Sequence, residues 1–242
     1  MKVLERVNTE NLTEIDLVRY EYAKKYVYQK TVLDIACGTG YGTLMLHDSY
    51  VKKIIGADLN SELIEELNLT HINTPNLNFV SASAYAIPFD DNSFEVVISI
   101  ETFEHLEQPD LFIKEIHRVL SREGGIAFIS TPLNESIERL NPANPFHVRE
   151  YNQDELNNIL MKHFSSIEYI YQNTVLVQNR ITRILNFLER NGLNIRKVKK
   201  HINPKILKSV RKIAKSEGAS IKSSEIGKKS DLTHVIIAIC KK

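Results

Sequence analysis

The chain has 242 residues, 43% of them apolar and 25% charged, an ordinary globular composition with room for one large α/β domain or a domain with an insertion. This excludes a disordered chain and a membrane span, and two cysteines, Cys37 and Cys240, are too few for a disulfide framework or a zinc ribbon. The charged start from Lys2 to Asp16 lacks an apolar signal segment, so a cytoplasmic setting is expected. The net charge of +1 is an average: residues 179–230 hold 15 basic and 3 acidic side chains, or +12, against −11 on the rest. Such a split suits an anionic partner or a solvated helical face.

Residues 1–30 read as a helical lead-in, with Tyr20, Ala23 and Val27 on one face. From Thr31 the pattern alternates. Thr31–Ala36 is a short β-branched run and reads as a buried strand, followed by glycines and a helix from Thr43 to about Ser49. Lys53–Ala57 is a second strand closed by Asp58, and Asn60 or Ser61 caps a helix running to Leu69. Leu77–Val80 is a third strand, residues 88–93 a turn and Phe94–Ile100 a fourth strand. A helix over Pro109–Leu120 ends at Gly124-Gly125, and it takes in His117, which reads as structural. Ile126–Ser130 is a fifth strand, Asp154–His163 a helix, Ser166–Tyr171 a sixth strand and His234–Cys240 the last. Roughly sixty residues separate the last two strands, far more than a hairpin loop needs, and helical spacing at Thr182–Glu189 and Pro204–Lys215 predicts a helical insertion.

Strands alternating with helices predict a parallel sheet with right-handed crossovers. The predicted organisation is a lead-in at 1–30, a core at 31–178 and 231–242, and a basic helical insertion at 179–230.

At the first strand-to-helix turn stands Asp34-Ile35-Ala36-Cys37-Gly38-Thr39-Gly40-Tyr41-Gly42. Glycine lets the backbone turn tightly and lets a ligand approach without a Cβ in the way. The spacing is G-x-G-x-G, not the G-x-G-x-x-G of dinucleotide folds. Asp34 puts a carboxylate beside the loop, which would repel a pyrophosphate and attract an ammonium.

Val32 to Gly42 resembles the first motif of class I S-adenosylmethionine-dependent methyltransferases, and Asp58, Pro88-Phe89 and Phe94–Ile100 keep the register of that family from about Arg19 to Asn173. The resemblance implies an α/β Rossmann-like fold, a seven-stranded sheet of order 3-2-1-4-5-7-6 with strand 7 antiparallel, helices on both faces and the insertion between strands 6 and 7. It implies S-adenosylmethionine as cofactor. Gly38 and Gly40 would lie under its methionine part, Asp34 near its amino group, Asp58 on both ribose hydroxyls and Leu59 against the adenine. The family usually has an acid before the third helix; here Ser83 stands there, leaving the Ala84 backbone for the adenine amine. Tyr20, after Arg19, matches an upstream pair that covers the cofactor's carboxylate in relatives.

After the fourth strand comes Glu101-Thr102-Phe103-Glu104-His105, at the sheet edge where open α/β folds bind ligands. In a helical turn, Glu101, Glu104 and His105 would share one face at i, i+3 and i+4 and could hold a divalent cation. The motif resembles metal-dependent branches of the family, the ubiquinone-pathway O-methyltransferases and the small-RNA terminal 2′-O-methyltransferases. With His147 as a fourth ligand, the resemblance implies Mg²⁺ or Mn²⁺. In metal-free members a His at this place is a general base or a structural group. The stretch from Asn144 to Tyr151 is also similar to methyltransferases of bacterial sugar and polysaccharide pathways, which makes His147 and Arg149 candidates for acceptor contact.

The expected activity is O-methylation of a sugar or other small hydroxylated acceptor, with His105 or His147 taking the hydroxyl proton. An RNA 2′-O-methyltransferase using the basic segment is the alternative, although among Phe and Tyr only Phe187 stands in 179–230 to stack on a base. A cofactor-binding regulator without turnover is a third. The basic segment also suits peripheral contact with an anionic membrane surface.

Overall fold

The computed structural model describes residues 14–136, 140, 142, 144–176, 222–230 and 233–242. In chain order the elements are α1 (Glu14–Val27), β1 (Thr31–Ile35), α2 (Tyr41–His47), β2 (Lys53–Asp58), α3 (Ser61–Thr70), β3 (Leu77–Ser81) and β4 (Val96–Ile100). A 3₁₀ turn (Phe103–His105) follows, then α4 (Pro109–Val119), β5 (Ile126–Pro132), α5 (Gln153–Leu160), β6 (Ser166–Leu176), β7 (Lys222–Gly227) and β8 (Thr233–Lys241). The chain divides into two compact units, Met1–Asn173 with Glu225–Lys242, and Thr174–Ser224. Both expected helical stretches, Thr182–Glu189 and Pro204–Lys215, lie outside the described residues, as do residues 1–13 of the lead-in.

The sheet order is β3-β2-β1-β4-β5-β8-β6-β7. β1 through β5 are parallel, and β8 runs antiparallel to both β5 and β6. The expected order of seven strands is therefore present, but among the described residues the sheet has eight. The added strand, β7, occupies Lys222–Gly227, the last part of the stretch expected to be a helical insertion. Its sequence, KSSEIG, has no apolar run, and a strand that has a neighbour on one side alone among the described residues does not need one.

β1, β2, β4, β5 and β8 are legible because they are buried on both faces and so are almost continuously apolar. Alternate residues feed two cores. Leu33, Ile35 and Val97 pack with Phe112, Ile113 and Ile116 of α4 and Leu156 and Leu160 of α5. Val32, Val96 and Ile98 pack with Tyr20, Ala23 and Val27 of α1, Leu46 of α2 and Ile64 and Leu67 of α3. The predicted inner face of the lead-in helix is thus the buried one. The helix ends follow local chemistry: Asn60 caps α3 by accepting from Leu63 N–H, Pro109 opens α4, and Asn152 with Glu155 forms a capping box on α5. His117 packs on Phe164 beside His163, in keeping with a structural role. Among the described residues no helix is long and apolar enough to cross a membrane.

Candidate active site

Parallel strands put their C-terminal ends on one edge. The winding reverses between β1 and β4, which are neighbours in the sheet, and ligands of open α/β folds sit at such a point. The segments after β1, β2 and β3 form one half of this edge, and those after β4 and β5 the other.

The first half is a hydrogen-bonded loop. Gly38 and Gly40 take the left-handed conformation, at φ 53° and 75°, and Ala36 does so as well, at 61°. Gly40 is also the N-cap of α2, with no side chain capping the helix. A Cβ added at Gly38 would meet nothing within 4 Å, so the loop has open space above it. Gly42 has a different reason: a Cβ there would overlap the ring of Tyr20. The third glycine of the motif therefore serves helix packing, which the sequence pattern did not reveal.

Asp34 is fully buried beneath the loop and accepts from Thr43 Oγ1 at 2.6 Å and Tyr20 OH at 3.3 Å. Burial pushes its carboxyl up to about 7, with Thr43 and Tyr20 opposing the rise and Asp58 adding to it. Expected near the cofactor's amino group, it is already joined to two protein hydroxyls. Tyr20 is itself buried and lies edge-on to Tyr41, with ring centroids 5.3 Å apart.

Asp58, at the end of β2, accepts Gly38 N–H and Asn60 N–H, each at 2.9 Å. A carboxylate offers about four lone-pair positions, so two remain for a pair of hydroxyls. Leu59 beside it is 49% exposed, an apolar face at the mouth of the loop. Ser83 accepts Tyr85 N–H, and Ala84 is partly buried beside it. The open space over Gly38, the spare acceptors of Asp58 and the exposed Leu59 fit S-adenosylmethionine, the cofactor that the resemblance implies.

The second half departs from the expected helical face. Glu101 is left-handed, at φ 52°, and precedes the 3₁₀ turn, so its spacing to Glu104 and His105 is not that of an α-helix. Its Oε1 lies 3.4 Å from Arg19 Nη1, and Arg19 also donates to Gln172 of β6 at 3.1 Å. Of the four residues expected to hold a cation, the structure gathers three. Ligand atoms of Glu104, His105 and His147 all lie within 4.8 Å of one another, without Glu101.

Glu104 is fully buried; its Oε2 accepts from Thr131 Oγ1 at 3.0 Å, and its Oε1 has no hydrogen-bond partner among the described residues. Burial first, then the charge of Glu101, pushes its carboxyl well above the ordinary carboxylate range. His105 Nδ1 lies 3.0 Å from the Phe146 carbonyl, and its Nε2 lies 3.9 Å from Glu104 Oε1. The His105 and His147 rings meet edge to face, 5.0 Å apart. An unpartnered buried carboxylate oxygen beside two imidazoles suits a small cation, but both nitrogens of His147 are hydrogen-bonded, to Glu150 and Asn144 at 2.9 Å each. Arg149, expected to touch the acceptor, pairs with Glu155 at 3.0 Å and lies over the Tyr151 ring.

Comparison with known proteins bears on the domain and on the fold. Residues 33–128 match a family model described as a methyltransferase domain. A probable S-adenosylmethionine-dependent methyltransferase of Mycobacterium tuberculosis is 30% identical over 170 residues, covering 66% of this chain and 60% of the relative. The chain thus matches under two thirds of that relative's length. Demethylmenaquinone methyltransferase of Chlorobaculum tepidum is 37% identical over 105 residues, 42% of this chain and 40% of that protein. The fold is shared with the crystal structure of YcgJ from Bacillus subtilis, at a TM-score of 0.62 and 20% identity, over 95% of this chain and 97% of that one.

Proposed function

The chain carries a class I S-adenosylmethionine-dependent methyltransferase domain, and from this premise we propose that it transfers a methyl group to a hydroxyl of a sugar or a comparable small acceptor. The observation that carries the reading is the pairing of two half-sites on one sheet edge. The Gly38–Asp58–Asn60 bracket lies on one side of the β1–β4 switch, and the His105–His147 pair lies on the other.

S-adenosylmethionine, when bound, supplies an electrophilic methyl group. The protein then has to bind, align and deprotonate. Asp58 would accept hydroxyl hydrogens with its spare lone pairs, Leu59 would pack on the face of the adenine, and Gly38 leaves room for close approach. His147 or His105 takes the proton of the acceptor hydroxyl, a step of the kind that contributes typically 10²- to 10⁴-fold. The relative named for demethylmenaquinone supports a small acceptor rather than a polymer. A cation held by Glu104, His105 and His147 is a second reading, supported by the unpartnered Oε1 of Glu104; it would lower the hydroxyl's pKa in place of a base. The +12 stretch at 179–230 suits an acceptor bearing phosphate, such as a nucleotide sugar, or an anionic surface.

Methyl-labelled cofactor offered with a panel of free sugars, nucleotide sugars, hydroquinones and short RNA tests this. Label in a small hydroxylated acceptor is the expected result. Label in RNA alone overturns the acceptor class, and no transfer to any of them favours a binding protein.

A further inference from the structure

The loop between β5 and α5 holds a polar chain whose direction can be read link by link. Asn144 Oδ1 accepts Phe146 N–H at 3.0 Å, which fixes its amide so that Nδ2 faces His147 Nε2 at 2.9 Å. An amide nitrogen only donates, so Nε2 carries the lone pair and Nδ1 carries the proton. Nδ1 lies 2.9 Å from Glu150 Oε1. The other carboxylate oxygen, Oε2, accepts from Asn134 Nδ2 at 2.8 Å. Asn134 is fixed in turn, since its Oδ1 accepts from Ser136 N–H at 2.9 Å and Ser136 Oγ at 2.7 Å. Donors thus enter from both ends and stop at one carboxylate, and every link agrees on a single tautomer of His147.

We infer that Glu150, held by Asn134, is a positioning residue that keeps the lone pair of His147 on Nε2, with Asn144 covering that lone pair until an acceptor hydroxyl displaces it. A base needs the lone pair there, and so does a metal ligand, whose other ring nitrogen usually donates to a carboxylate or carbonyl. The inference deepens the proposed function and rests on it for the catalytic consequence alone; the tautomer can be read without any acceptor.

The test is ring ¹⁵N NMR of histidine-labelled full-length protein, dialysed against chelator, in the wild type, Glu150→Gln, Glu150→Asp and Asn134→Ala/Glu150→Gln. In Glu150→Gln, Asn134 still demands an acceptor, so the new amide turns its nitrogen toward His147. Both ring nitrogens then face donors, and the single Nδ1–H form gives way to a mixture in which the Nε2–H form is resolved beside it. Glu150→Asp keeps the wild-type form. Removing Asn134 lets the introduced amide rotate and moves the mixture back toward Nδ1–H, a rescue that a merely structural role would not produce. A wild-type ring protonated on Nε2, or a Glu150→Gln ring unchanged from Nδ1–H, overturns the inference. Cofactor affinity unchanged in the same samples shows that the variants are folded. If the tautomer moves as stated while kcat stays within about twofold, Glu150 positions His147 but His147 is not the base. A kcat at least about tenfold lower with an unchanged cofactor KM supports both.

Discussion

Replacing Asp34 by asparagine separates what the buried carboxyl does for the fold from what it does for a ligand. The folded carboxyl holds its proton up to about 7, against an ordinary value of 3.8, chiefly because it is buried. Between those pH values the folded state binds more protons than the unfolded one. The stabilising contribution of the protonated form is complete below pH 3.8 and is lost as the pH rises through about 7. At about 1.4 kcal/mol per tenfold change in proton affinity, the whole loss is on the order of 4 kcal/mol, and more than half of it falls between pH 5 and 8. Asparagine keeps one oxygen to accept from Thr43 and cannot ionise, so its stability should lack this slope. Denaturant unfolding of both proteins at pH 5 and pH 8 measures it, and the difference between them cancels the other titrating groups. The same carboxyl lies under the glycine loop, so affinity for an ammonium-bearing cofactor should rise with pH through about 7 in the wild type and stay flat in Asp34→Asn. Parallel stability slopes in the two proteins would refute the claim that Asp34 is held protonated by burial.

Gly42→Ala pushes a methyl group into the Tyr20 ring and should cost about 1–3 kcal/mol in denaturant unfolding. In a Tyr20→Leu background the penalty should shrink, and an equal penalty in both backgrounds would show that the ring is not what the glycine accommodates. If Glu104, His105 and His147 hold a cation, activity falls in excess chelator and returns with Mg²⁺ or Mn²⁺. Full activity after dialysis against chelator leaves the histidines as bases alone.

Most of the sheet could be read from sequence because strands buried on both faces, the parallel β1 and the antiparallel β8 alike, leave runs such as TVLDI and HVIIAIC, and caps such as Asn60 act through neighbours three residues away. β7 could not, since a polar strand at the sheet edge carries no apolar signal. Glu101 reads as the first residue of a helical face; its left-handed backbone and its pairing with Arg19 depend on contacts 82 positions apart in the sequence. Thr131, which holds Glu104, comes from the strand next to β4 and is found only once the sheet order is known. The partners of His147 do not show in the sequence pattern either. Asn144 and Glu150 stand three residues to either side, but a loop has no periodicity to bring them forward.

Calorimetric titration of S-adenosylmethionine into the wild type and Asp58→Ala tests the central claim most directly. Asp58 joins the loop to the end of β2 through Gly38 and Asn60. A hydrogen bond involving a charged group contributes about 1.5–3 kcal/mol, so binding to one site per chain should weaken by roughly 10- to 150-fold in the variant. Equal affinity in the two proteins, or no binding to a folded wild type, would contradict the assignment of this edge as the cofactor site.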